Sequence, residues 1–200
     1  MDTTAMRSAN PAVLPREYKE AFTINLQKDK KLALIVNGLG AALMLVFGVL
    51  GHLTVPIGAM FNMEAGFLVY ALRFLALFAG MLVYIVLHEA VHGVCMKHFS
   101  GVRPSYGFTG MYAYAGSTAY FSRGYYIVIA LAPIVVWGII LQILCAFVPS
   151  QWFWVVYFIQ VTNLSGAAGD LYVTWRFSKL PADTLVNDTG VEMTVYTRAD

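Results

Sequence analysis

Apolar residues in this chain gather into four long runs separated by short polar stretches. The first, Leu32 to Leu53, is long enough to cross a ~30 Å hydrocarbon layer as a helix. A second extends from Phe67 to about Cys95, a third from Tyr125 to Val148, and a fourth from Trp152 to about Trp175. Pro133 falls inside the third, where it kinks a membrane helix rather than forbidding it. Between the second and third runs the period changes. Tyr106, Phe108, Tyr112 and Tyr114 alternate, and Ala115-Gly116-Ser117 then leads to Thr118 and Tyr120, which reads as a hairpin turning at those small residues. The expected fold is an all-α polytopic membrane protein with about four transmembrane helices and a membrane-edge β-hairpin between the second and third. Residues 1–31 are expected as a polar N-terminal tail without a cleavable signal peptide, 32–176 as the membrane-embedded domain and 177–200 as a polar C-terminal tail. No internal repeat of the kind that marks transporters is visible.

Composition strengthens the membrane reading. Hydrophobic residues make up 59% and charged residues 12%, against roughly 25% charge in a soluble domain, so lipid is the expected solvent. Cys95 and Cys145 lie within apolar runs, which argues against a disulfide framework. A net charge of +2 gives no basis for a nucleic-acid partner. The basic residues instead sort by side: the N-terminal tail, the segment with Lys97, Arg103 and Arg123, and the C-terminal tail carry them, while the two opposite loops carry none. By the positive-inside rule the expected protein is multi-pass, in a plasma or inner membrane, with both termini cytoplasmic.

The chemistry centres on His88-Glu89-Ala90-Val91-His92. Residues four apart share a helix face, so His88 and His92 can offer two imidazole nitrogens to one metal ion, with Glu89 free to take a proton from a zinc-bound water. In a soluble helix the pattern could be a solvated face. Within an apolar run a charged group near the bilayer centre costs about 2.5 kcal/mol or more, and such residues are functional by default. A catalytic zinc needs a third protein ligand. Asp170, late in the fourth run, reaches a similar depth to the histidines, which come late in the second; the competing reading makes it an interfacial residue that caps or pairs with Arg176. His98 is a poorer candidate because Gly101 and Pro104 end the helix near it, and His52 lies at the opposite face. Asn163 offers an amide that could bind a substrate backbone or a developing oxyanion, while Ser165, Gly166 and Gly169 read equally as helix-packing residues. The hairpin has two readings as well: a strand edge that pairs with an extended substrate, or an aromatic belt at headgroup depth. Arg73 is expected to snorkel outward or pair with Glu64.

At these residues the chain resembles the site-2 protease class of intramembrane metalloproteases and, more closely, a group of small multi-span proteins described as "putative zincin peptidases". The resemblance runs from about Leu68 to the C-terminus. It is carried by the His88–His92 helix, the Tyr/Gly-rich hairpin, the Ala132-Pro133 helix, and Asn163 leading to Gly169-Asp170. It implies a Zn2+ cofactor with His88, His92 and Asp170 as ligands and Glu89 as base. Site-2 proteases usually have a proline shortly after the asparagine and a glycine directly after the aspartate; here Ser165-Gly166 and Leu171 stand in that neighbourhood. Leu185-Val186-Asn187-Asp188-Thr189-Gly190 also looks like the small-protein group, without an assigned role. The expected activity is zinc-dependent hydrolysis of peptide bonds in membrane proteins or signal-like peptides near the cytoplasmic membrane edge. The alternatives are a non-catalytic metal-binding scaffold or regulator and, third, a transporter. A transporter needs a continuous polar path, which Asn37, Arg73, Gln142, Gln160 and Thr162 do little to supply.

Overall fold

The computed structural model describes residues 3–110 and 112–199. In chain order the elements are α1 (Thr3–Ser8), β1 (Tyr18–Ile24), α2 (Lys30–Thr54), a 3-10 helix (Ile57–Phe61), α3 (Phe67–Ser100), β2 (Ser105–Phe108), β3 (Ala113–Gly116), β4 (Tyr120–Ser122), α4 (Arg123–Phe147), α5 (Ser150–Gly166), α6 (Ala168–Phe177), β5 (Leu185–Asp188) and β6 (Met193–Arg198). The described residues are 62% helical but also form two sheets, so the all-α expectation is corrected. Three helices, α2, α3 and α4, are long and apolar enough to cross a membrane. The fourth expected span is instead broken into α5, 17 residues, and α6, 10 residues. The break falls at Ala167 within a run of small residues, Ser165 to Gly169, which offers little side-chain packing to hold a continuous helix.

Local signals explain the helix ends. Asp29 accepts the Leu32 N–H at 2.9 Å and caps α2; Pro56 follows its last turn. α3 stops at Gly101, whose φ of +76° is the left-handed position that glycine fills at a helix C-terminus.

The chain divides into two compact units. One comprises Val36–Leu87 and Ile134–Gly169 and is a helical bundle. Its core gathers Met60, Leu77, Cys145, Phe153, Trp154, Val155, Tyr157 and Val161. Leu45, Val46, Leu82, Val86, Ile139 and Ile143 stand exposed on it, as side chains facing hydrocarbon would. Its polar side chains close onto backbone carbonyls. Trp154 Nε1 donates to Val55 at 3.0 Å, Tyr157 Oη to Phe47 at 2.8 Å and Gln160 Nε2 to Gly138 at 3.2 Å. Arg73, 1% exposed, neither snorkels nor meets Glu64. Its guanidinium donates to the carbonyls of Ala59 at 3.0 Å, Met60 at 2.9 Å and Asn62, and so caps the 3-10 helix, whose terminal carbonyls have no helical donor.

The other unit comprises Met1–Ile35, His88–Pro133 and Asp170–Asp200. A four-stranded antiparallel sheet, order β1-β6-β5-β4, packs on helical segments through a core of Ile24, Met96, Phe121, Tyr126, Ile129, Val173, Phe177, Val186 and Val195. The stretches expected as polar tails thus supply three of its four strands. β2 and β3 form a separate two-stranded hairpin, in register Tyr106↔Ala115 and Phe108↔Ala113. Its turn lies between Phe108 and Ala113, not at Ala115–Ser117 as the alternation suggested. Gly110, with φ +87°, supplies the left-handed turn residue, and the third aromatic stretch, as β4, pairs with β5 instead.

Candidate metal centre

The late turns of α3 carry His88, Glu89 and His92; their potential ligand atoms lie within 4.8 Å of one another. Asp170, in the first turn of α6, faces both rings: its Oδ2 is 3.4 Å from His88 Nε2 and its Oδ1 3.6 Å from His92 Nε2. The two rings stand edge to face at 4.9 Å between centroids. Both histidines are 8% exposed. Donor atoms held tetrahedrally at about 2.0–2.1 Å from a zinc ion lie roughly 3.4 Å apart. The separations from Asp170 to the two imidazoles are close to that spacing, so His88, His92 and a carboxylate beside them could hold a zinc ion.

Two main-chain groups orient this cluster. His92 Nδ1 lies 2.9 Å from the carbonyl of Ile129 on α4; a carbonyl only accepts, so Nδ1 carries a proton, and Nε2 is the nitrogen that faces Asp170 and would be free to bind a metal. Glu89 Oε2 accepts the Ala115 N–H of β3 at 2.7 Å. Alternate residues of an antiparallel pair turn their main-chain groups to opposite edges. Ala113 and Ala115 therefore present theirs on the edge that Glu89 meets. Gly93, beside His92, packs under the Tyr106 hydroxyl, with no room for a Cβ.

A further polar anchor was not singled out from the sequence. Asp188 Oδ2 accepts the Tyr126 hydroxyl at 2.6 Å, its Oδ1 accepts the Gly190 N–H at 2.7 Å, and its carbonyl accepts the Ser117 N–H at 2.7 Å. One hairpin turn is thereby fastened to α4, which holds His92, and to the residue following β3, which holds Glu89. This gives the Leu185–Gly190 segment a structural role. The sequence signal was an Asp-Thr-Gly turn between two short alternating stretches.

The other expected residues lie elsewhere. Asn163 belongs to the bundle, where its carbonyl oxygen accepts the Tyr84 hydroxyl at 2.9 Å and its Nδ2 donates to Ile134 at 3.1 Å. His98 is exposed and edges onto Phe99. His52 accepts the Ile57 N–H at 3.2 Å.

Two imidazoles one helical turn apart, with a glutamate beside the first, could hold a metal ion, here in a chain with three helices long and apolar enough to cross a membrane. The chain belongs to the family described as "Putative zincin peptidase", whose model matches residues 81–185 and so takes in His88, Glu89, His92 and Asp170. No curated protein and no solved structure matches it. The likeness to site-2 proteases has no counterpart in these comparisons.

Proposed function

We propose that this protein is a zinc-dependent intramembrane peptidase that hydrolyses peptide bonds of membrane proteins or signal-like peptides at the cytoplasmic membrane edge. The observation that carries the reading is the convergence of His88, His92 and Asp170, with Glu89 held beside them by Ala115. Bound zinc would polarise the scissile carbonyl and make an attacking water acidic, with a pKa of about 7.

The chain's own groups do the rest. The Ala115 N–H holds Glu89 Oε2 and leaves the other carboxylate oxygen for the water's proton. As the water oxygen bonds to the carbonyl carbon and the C–N bond breaks, Glu89 passes that proton to the leaving amine. The outer edge of β3 can pair with an extended substrate through Ala113, which favours main-chain recognition and loose side-chain selectivity. A substrate role for Asn163 would require its amide to exchange the Tyr84 and Ile134 bonds; those bonds favour a part in locking the bundle.

Strand pairing supports a topology with both termini on one side. β1 pairs with β6 and β4 with β5, so the N-terminal strand, the segment after α3 and the C-terminal strands belong to one unit. Between them the chain leaves that unit along α2, returns along α3, leaves along α4 and returns through α5 and α6.

The test is cleavage of single-span model substrates by the purified protein in liposomes. Glu89→Gln should retain zinc and lose activity by about 100-fold to 10,000-fold. Unchanged turnover in that variant would remove Glu89 from the mechanism.

A further inference from the structure

In an α-helix the carbonyl of residue i accepts the N–H of residue i+4. Pro133 stands inside α4 and has no N–H to give. The carbonyl it would have served, four residues back, is that of Ile129. This is the same carbonyl that lies 2.9 Å from His92 Nδ1.

We propose that Pro133 is a positioning residue of the metal centre: by leaving the Ile129 carbonyl without its helical donor, it creates the acceptor that fixes the tautomer and ring plane of His92. The proposal rests on the zinc reading above. Ile129 is 1% exposed and His92 8%, so little water is at hand to satisfy either group, and an orphaned buried carbonyl or ring N–H is costly. Each supplies the other's partner. The proline ring also crowds the carbonyl four residues back and turns it away from the helix axis, toward a neighbour. A proline one position earlier would free the carbonyl of Val128 instead, on a residue that stands 49% exposed. The placement, and not merely the presence of a kink, therefore serves the histidine. With Nδ1 committed to Ile129, Nε2 is left as the nitrogen that meets Asp170 and any bound metal.

The experiment uses the full chain in detergent. Zinc affinity is measured by competition with a chromophoric chelator. The tautomers of the four histidines are read by nitrogen NMR on metal-free protein at a pH high enough to leave the imidazoles neutral, with His92→Gln identifying the His92 signals. Pro133→Ala restores the missing N–H, which reclaims the Ile129 carbonyl. The expected results are a 10-fold to 100-fold loss of zinc affinity and loss of the Nδ1–H preference at His92. A purely structural proline would change stability and leave the tautomer alone. The double variant Ala132→Pro/Pro133→Ala keeps a helix proline but frees the wrong carbonyl, and should show the same loss of affinity and tautomer preference. Wild-type affinity and wild-type tautomer in either variant overturn the proposal. A wild-type protein that binds no zinc overturns the metal reading beneath it, and the NMR arm then still reports whether Pro133 governs His92.

Discussion

In the bundle of Val36–Leu87 and Ile134–Gly169, the donors of Arg73, Trp154, Tyr157, Gln160 and Asn163 are turned onto backbone carbonyls. In the sheet-bearing unit, His88, His92 and Asp170 are turned toward one another, with Glu89 alongside. Both regions bury polar side chains, but they satisfy them differently. The bundle leaves the carbonyls at its breaks with donors, as a segment surrounded by hydrocarbon must. The site brings the imidazoles of His88 and His92 together with the carboxylates of Glu89 and Asp170, a group of side chains that could hold a metal ion. Polar residues of the first region close onto its own backbone, whereas His88, His92 and Asp170 of the second face one another.

This contrast predicts different consequences for polar substitutions. The largest effect belongs to Asp170→Asn, which keeps the shape and removes the charge facing both imidazoles. Zinc affinity should fall by more than the roughly 100-fold typical of outer-shell changes, while far-UV circular dichroism of the metal-free protein stays as in the wild type. Next comes Arg73→Met, which orphans the carbonyls of Ala59, Met60 and Asn62. A loss of about 3 kcal/mol in detergent unfolding is expected, with zinc stoichiometry per folded molecule unchanged; a variant that unfolds normally but loses zinc would dissolve the contrast. Gly116→Ala is the third. A Cβ there would strike the Thr189 carbonyl, displacing either the end of β3 or the C-terminal hairpin. It should cost about 1–3 kcal/mol and reduce cleavage through Glu89, whose partner Ala115 is the adjacent residue.

The smallest effect concerns pH. Burial pushes the Asp188 carboxyl above its ordinary value, against the opposing bonds from Tyr126 and Gly190. The folded state therefore holds this proton more tightly than the unfolded chain does. Stability from this group is greatest below the unfolded value of 3.8 and declines as pH rises through the folded one. Asp188→Asn should flatten that decline in unfolding measured from pH 4 upward, with a change under about 1.5 kcal/mol per unit of pKa difference.

The candidate site's residues were easier to single out in the sequence than the sheet around them. His88, Glu89 and His92 announce themselves because their spacing is local and their cost in an apolar run is high. Asp170 could be weighed as a third ligand from the depth of its apolar run, and its carboxylate lies 3.4 and 3.6 Å from the two imidazoles although that run is broken into α5 and α6. The four-stranded sheet could not be read in this way. β1 and β6 pair Tyr18 with Arg198 across nearly the whole chain, and β1 carries a register shift between Glu20 and Phe22 that breaks its alternation. The hairpin was visible as alternating aromatics, but its turn was misplaced because Ala115-Gly116-Ser117 looked more turn-like than the segment around Gly110. Arg73 was misassigned for a related reason: the carbonyls it caps belong to a short 3-10 helix that hydrophobic periodicity does not reveal. The main-chain partners of the site, Ala115 and Ile129, carry no side-chain signal at all.

The most direct test is the metal content of the detergent-purified protein by elemental mass spectrometry, in wild type, His88→Ala, His92→Ala and Glu89→Gln. About one zinc per chain is expected in the wild type and in Glu89→Gln, with its loss in both histidine variants. Zinc retained without His88 and His92, or absent from a folded and metal-supplemented wild type, would contradict the zinc reading.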